Sequence, residues 1–283
     1  MPAAAPTPAP GAARPATARE TARETDGADD GLQVRSQGRV DGLRVLQRGA
    51  DGRTGADGHE AADVLAATRT ALHAVVELVM AGPQQRASGT VDLAVRPGAL
   101  ETVAAPRLRL EATSLAGQGG EASLLGTTSV LALAAAVGVT AGAPGGSRGG
   151  TTGIGLDDPL QVDTDLATAL LDWFAVGAAA LLTVAPGEQA VLRPDDLRLS
   201  VTVDGVVCGV SPGDGTSVHP YAFVVPAGAG AGHAHQQTWS QVPDAGSVAA
   251  FFADGRARVL AGSTGSPGGR TAVDGGGAPP ASR

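Results

Sequence analysis

The sequence predicts an α+β fold: an antiparallel sheet with the hairpin 197–210 at its centre, packed against helices, with disordered N- and C-terminal tails. Three observations carry this. The stretch LRLSVTV-DG-VVCGV alternates apolar and polar residues on both sides of a two-residue turn signal. Two longer stretches repeat their apolar residues at helical spacing. Every aromatic residue falls between Trp173 and Phe252, so the core lies inside the body of the chain. Helices grouped between runs of antiparallel strands give an α+β architecture.

The chain opens as MPAAAPTPAPGAARPATARETARETDGADD. Such a stretch buries too little apolar surface to offset its ordering entropy, so residues 1–58 are expected to form a disordered tail rich in Pro, Ala, Arg and Asp. A weak alternation in LQVRSQGRVDGLRVLQRGADGRTG leaves room for a short strand. No apolar core follows the arginines, so the start does not read as a secretory signal. Residues 59–262 are expected to form one domain, with 141–158 as a Gly-rich internal connector. Residues 263–283 form a second Gly/Pro-rich tail.

Within the body, Asp63 to Ala81 reads as a helix through Val64, Leu65, Leu72, Val75, Val76 and Val79, stopped by Gly82-Pro83. His73 lies beside that stripe as a partly buried structural residue, whereas His59 belongs to the lead-in and has no role. Thr90 to Arg96 and Arg107 to Thr113 alternate as two half-buried strands. Thr127 or Thr128 is the expected cap of a helix over 129–137. In the connector, GGTTGIG has the wrong glycine spacing for a dinucleotide site. Asp163 caps the strongest helix, whose buried stripe is Leu166, Leu170, Trp173, Phe174, Gly177 and Leu181.

The Asp204-Gly205 turn sets a register: Val203 opposite Val206, Val201 opposite Cys208, Leu199 opposite Val210. All six side chains then share the apolar face, which makes Cys208 a structural thiol. Tyr221 to Val225 reads as a third strand. Ser247 caps a closing helix through Val248, Phe251 and Phe252 that ends near Gly255.

The composition excludes several function classes. All 20 basic residues are arginine, and without lysine there is no Schiff base and no Walker-type phosphate loop. A single cysteine makes neither an internal disulfide nor a cysteine-ligated zinc site. The net charge of -8 argues against nucleic-acid and membrane surfaces, so no nucleic acid and no membrane are expected as partners. No run reaches ~18 apolar residues free of charges or glycine clusters, and the cytoplasm is the expected location. G-x-S-x-G, H-E-x-x-H and EF-hand patterns are all absent.

Three segments together resemble an uncharacterised actinobacterial protein family: DDPLQVDTDLATALLDWFAVGAAALL, LRPDDLRLSVTVDGVVCGVSPGDGTSVHPYAFVV and TWSQVPDAGSVAAFFADGR. The shared motifs are D-W-F-x-x-G (Asp172 to Gly177), G-x-S-P-G-D (Gly209 to Asp214), P-Y-x-Y-V (Pro220 to Val224, with Phe223 for the second tyrosine) and A-F-F (Ala250 to Phe252). The resemblance spans about residues 64–260 and implies a domain without an activity. Its W-P-E-H-F-D-L-A motif is mostly replaced here by Arg193, Pro194, Asp195, Asp196, Leu197 and Arg198. PAGAGAGHAHQQ stands where the family has aromatics, which implies that this member has lost most of any shared polar cluster.

The best candidate constellation is Asp195, Asp196, Asp214, His219 and Tyr221, flanking the two ends of the hairpin. Carboxylates with a histidine hold a divalent cation or form an acid–base pair, and the same residue types serve ordinary turns. His233 and His235 are a weaker metal candidate, two imidazoles without a fixed third ligand. No cofactor is expected. The expected function is a non-catalytic or catalytically degraded domain that binds a small molecule or a partner protein. The alternative is an enzyme using Asp195, Asp196, Asp214 and His219, with a divalent metal.

Overall fold

The computed structural model describes residues 56–126, 128–146, 152–229 and 235–264. The expected tails apart from 56–58 and 263–264, which are helical, lie outside these residues, as do the middle of the connector and His233. A helical rod comes first: α1 (Ala56–Ala74), a π-helical segment (Val75–Ala81) and α2 (Gly82–Ser88). Five strands follow: β1 (Leu93–Arg96), β2 (Ala99–Thr102), β3 (Arg109–Glu111), β4 (Ser114–Gly117) and β5 (Gly120–Ser123). Next come α3 (Val130–Ala136) and α4 (Thr164–Val184). Five more strands are β6 (Val191–Arg193), β7 (Arg198–Val203), β8 (Val206–Ser211), β9 (Tyr221–Pro226) and β10 (His235–Thr238), and α5 (Ala245–Thr264) closes the fold.

The strands form one ten-stranded antiparallel sheet in the order β10-β9-β8-β7-β6-β1-β2-β3-β4-β5. The fold is therefore α+β, as the sequence predicts. The hairpin β7–β8 has the predicted register, Leu199↔Val210, Val201↔Cys208 and Val203↔Val206. Asp204 and Gly205 both have positive φ, at 51° and 73°, as a type I′ turn requires. The middle of the sheet falls one strand away, at the pairing of β6 with β1.

Two contacts fix which face meets the helices. A Cβ on Gly177 of α4 would lie 2.3 Å from Val210 Cγ2, and one on Gly255 of α5 would lie 2.7 Å from Val224 Cγ2. Val206, Cys208, Val210, Ala222 and Val224 therefore face the helices, where all are buried. Alternation turns Arg198, Ser200 and Thr202 of β7, Val207 of β8, and Tyr221, Phe223 and Val225 of β9 to the opposite face. In the first half, that opposite face carries an ion-pair ladder in which Glu101 bonds Arg96 at 3.1 Å and Arg109 at 2.5 Å, and Arg109 bonds Glu111 at 2.7 Å. The 59–88 rod and α4 are each long and apolar enough to cross a membrane, yet at least half of their most apolar window is buried against the rest of the fold.

Several boundaries differ from the sequence reading. The first helix begins at Ala56, which places His59 inside it, and it runs through Gly82-Pro83 to a left-handed Gly89. The reason is tertiary. Pro83 has no N–H for the Leu78 carbonyl, which the π-helical spacing would pair with it, and Gly142 N–H donates to that carbonyl instead at 2.8 Å. Glycine is needed at position 82, since a Cβ there would lie 1.7 Å from the Gly142 carbonyl oxygen. Arg86 donates to the Thr140 and Gly142 carbonyls, and Gln85 accepts from Gly145 N–H, so the start of the connector is strapped to α2.

The caps also shift. Ser129, not Thr127 or Thr128, caps α3, with its Oγ accepting from Ala132 N–H at 3.3 Å. Asp163 caps α4 as predicted, accepting from Leu166 N–H at 2.9 Å. At α5 the capping carboxylate is Asp244, which accepts from Ser247 N–H at 2.9 Å while Ser247 Oγ accepts from Asp244 N–H. Helix α5 continues past Gly255, which is a close-packing position against Val224.

Candidate functional site

Arg198, Ser211 and Tyr221 form a row across three strands. Ser211 is opposite Tyr221, and continuing the β7–β8 register sets Arg198 opposite Ser211. All three lie on the face away from the helices, at the end of the hairpin where the loop Pro212–Pro220 leaves β8. That loop carries Asp214. Arg198 is long enough to reach across Ser211, and its Nη2 donates to both Asp214 Oδ2 at 3.0 Å and the Tyr221 hydroxyl at 3.1 Å.

Asp214 is the acceptor at the centre. Its Oδ2 takes the Tyr221 hydroxyl at 2.6 Å as well as Arg198, and its Oδ1 takes the amides of Thr216 at 2.8 Å and Ser217 at 2.9 Å. Burial by itself raises this carboxyl, but the Tyr221 hydroxyl, the two amides and Arg198 outweigh it and hold the group at about 2. Tyr221 is displaced upward, by burial first and then by its bond to Asp214. The Arg198 guanidinium lies 5.5 Å from the centre of the Phe223 ring, and Phe223 meets Tyr221 edge-on at 6.2 Å. From α1, Arg69 donates to the Val218 carbonyl at 3.1 Å and ties the loop to the helical layer. Trp173 of α4 does the same for the last residue of β8, just before the loop, donating from its indole N–H to the Ser211 carbonyl at 3.0 Å.

The predicted constellation therefore divides. Asp214 and Tyr221 come together. Asp196 joins them through Arg198, accepting from its amide at 3.2 Å and lying 3.7 Å from its Nε; burial, then the neighbouring Asp195, raises the Asp196 carboxyl. Asp195 turns outward into a two-point pair with Arg193, at 3.3 and 3.0 Å. His219 is half-buried at the end of the loop, and its Nδ1 is enclosed without a hydrogen-bond partner among the described residues. His235 is exposed at the start of β10, opposite Val224. Among the described residues no three His, Cys, Asp or Glu side chains gather as a cation-binding set.

Arg198 is the residue the sequence reading undervalued, since it entered only as the replacement of a family aspartate. The signal was available in the hairpin register, which puts an outward arginine two strands from an outward tyrosine. Cys208 lies on the helix-facing side, 1% exposed, and burial pushes its thiol up to about 11. His73 bridges α1 and the β6–β7 turn, its Nε2 lying 2.7 Å from the Pro194 carbonyl.

Among the described residues, two open concavities lie away from this cluster. An open cleft of about 760 Å³ is lined by His59, Glu60, Asp63, Val64, Leu160 and Asp163, among others. A shallower groove of about 430 Å³ runs beside Glu101, Arg107 and Arg109. A void of about 10 Å³ lies between α1 and α4, lined by Leu72, Val76, Leu170 and Phe174. No family model matches this chain, and neither a curated protein nor a solved structure matches it.

Proposed function

We propose that this chain is a non-catalytic domain that works by binding, and that its ligand is a partner protein. The observation that supports this most is the condition of Asp214. Its two oxygens already take four hydrogen bonds from Tyr221, Arg198, Thr216 and Ser217. A carboxylate held at about 2 and surrounded by donors is a poor general base near neutral pH, and it has little capacity left for a metal. The cluster reads as a lock that holds the loop Pro212–Pro220 on the sheet. A small-molecule ligand is less favoured, because such ligands are usually enclosed in apolar pockets and the larger concavities here are open.

A surface that suits a protein partner is the face of the second half turned away from the described helices, where Ser200, Thr202, Val207 and Val225 lie side by side. The domain is read as a divergent member of the actinobacterial family it resembles, placed in the cytoplasm and without nucleic-acid or membrane partners. The enzyme reading, with Asp195, Asp196, Asp214 and His219 around a divalent metal, draws on one observation, the unpartnered Nδ1 of His219. Native mass spectrometry of the full chain, with elemental analysis, separates the two. A metal or organic ligand bound in stoichiometric amount sinks the protein-binding reading. Cross-linking in the source cells to a protein that Val207→Glu no longer captures supports it.

A further inference from the structure

We propose that residues 56–146 and 152–264 are two copies of one helix–five-strand–helix unit, and that the β1–β6 seam is the dimerisation surface of that unit, internalised in a single chain. The kind of partner this surface fits is a second such unit.

Topology carries the first part. Each half runs helix, five-stranded meander, helix, and each half's strands pair only with their neighbours in sequence. The exception is β1 with β6, the first strand of each half, so the sheet order reads outward from the seam as one to five on both sides. The pairing at the seam is antiparallel, the arrangement that a two-fold axis perpendicular to a sheet imposes on equivalent strands.

Sequence and register carry the second part, independently. Both halves have an Arg-Pro pair where the first strand turns into the second: Arg96-Pro97 after β1 and Arg193-Pro194 after β6. Setting Arg96 on Arg193 makes Ala94 equivalent to Val191 and Val95 equivalent to Leu192. The seam pairs Leu93 with Leu192, and the antiparallel continuation of that register sets Ala94 opposite Val191. Equivalent residues thus face each other, and the pair Leu93↔Leu192 maps onto Ala190 and Val95. This is the self-complementary register of an isologous contact, and an arbitrary joining of two meanders has no reason to produce it. The next strand agrees, since Leu100 pairs with Val95 and Leu199 pairs with Leu192, although the turn in the second half is two residues longer.

Packing carries the third. The opening helices α1 and α4 lie against one another at the seam, with Thr68 Oγ1 accepting from Asp163 N–H at 3.0 Å. The void at their crossing is lined from both halves, by Leu72, Val76 and Leu100 on one side and Leu170, Phe174 and Leu197 on the other. Apart from Arg69, every residue lining that void is apolar, as expected where two folded units pack core to core.

The test uses the full chain with a specific protease site inserted after Arg148. After cleavage, native mass spectrometry should find the two fragments as a one-to-one complex with unchanged far-ultraviolet circular dichroism. Mixing cut protein with cut ¹⁵N-labelled protein should yield hybrid complexes, as exchange between units predicts. A second variant, Leu93→Pro, removes the amide that faces Leu192 across the seam, whereas the Ala94 and Arg96 amides face β2; it should release the fragments from the cut chain while the uncut chain stays folded. Fragments that unfold or aggregate on cutting overturn the proposal. So does a cut Leu93→Pro chain that remains as tightly associated as the parent.

Discussion

The Tyr221 hydroxyl donates to Asp214 Oδ2 at 2.6 Å, joining the first residue of β9 to the loop that precedes it. Arg198 completes the triangle from β7, so three chain segments meet in one ion-pair and hydrogen-bond cluster. Tyr221→Phe removes the hydroxyl and leaves the ring. Hydrogen bonds to charged groups contribute about 1.5–3 kcal/mol, and partial exposure of this one puts the expected loss at about 1–2 kcal/mol. Urea unfolding followed by circular dichroism measures it, and an unchanged midpoint would show that the loop is held by other contacts.

Acid should loosen the same lock. The Asp214 carboxyl is depressed in the folded chain to about 2, against about 3.9 in an unfolded one. A depressed carboxyl stabilises the fold fully above the unfolded value and loses that contribution as pH falls through the folded value. The loss is therefore expected between about pH 4 and pH 2. Asp214→Asn should be less stable than the parent at neutral pH and should show a shallower decline across that window. Denaturation midpoints measured in a pH series decide it, and parallel curves for the two proteins would remove Asp214 as a source of acid sensitivity.

Helix α4 approaches β8 closely enough that position 177 has no room for a side chain. In Gly177→Ala the new methyl would sit 2.3 Å from Val210 Cγ2, so the helix or the valine must move. Overpacking of this kind costs about 1–3 kcal/mol, more than the better helix propensity of alanine returns. Adding Val210→Ala should make the Gly177→Ala change cheaper than it is alone. Thermal unfolding of the two single variants and the double variant forms the cycle, and simple additivity would place the clash elsewhere.

Gln84 is fully buried and uses both ends of its amide. It donates to the Asp92 carbonyl at 2.8 Å and accepts from Ala104 N–H at 2.8 Å, tying α2 to both sides of the β1–β2 hairpin. Gln84→Leu strands the Ala104 amide and the Asp92 and Thr90 carbonyls, all part-buried, and a group cut off from water costs about 1–3 kcal/mol. A total loss of about 2–4 kcal/mol is expected by urea unfolding. Gln84→Glu should fare little better, because it keeps the acceptor for Ala104 and loses the donor for Asp92.

Cys208 should be silent in the folded chain. Its side is enclosed between the sheet and the helices, and its thiol is pushed up to about 11. A thiol reagent at pH 8 should react with it only after denaturant is added. Stoichiometric labelling of the native protein within minutes would show that α5 lifts away from β8.

Strong local signals survived into the structure. Asp204-Gly205 specified a turn whose backbone only a few residue types adopt, and the pairing of six strand residues followed from it. Asp163 and the stripe from Leu166 to Leu181 specified α4, because capping and helical periodicity act within a few turns. Strands of three or four residues were harder to see. Ala99–Thr102, Gly120–Ser123 and His235–Thr238 are too short for alternation to accumulate, and the Gly-Glu-Ala-Ser strand holds no β-branched residue. In the candidate site, Asp214 and Tyr221 were visible because the hairpin brings its two ends together. Arg198 was visible in type but not in role.

Local chemistry in the chain thus settled the α+β class, the β7–β8 hairpin and its register, the α4 helix and the inert setting of Cys208. Tertiary structure alone decided three further things. It carried the first helix through Gly82-Pro83, because a distant amide, Gly142 N–H, satisfies the carbonyl that proline abandons. It turned Asp195 to solvent and closed Asp214 into a lock, because which carboxylate meets an arginine depends on loop direction. It also joined the two meanders at β1 and β6, far apart in sequence. Each outcome rests on groups that meet only after the chain has folded, and a short-range pattern carries no record of them.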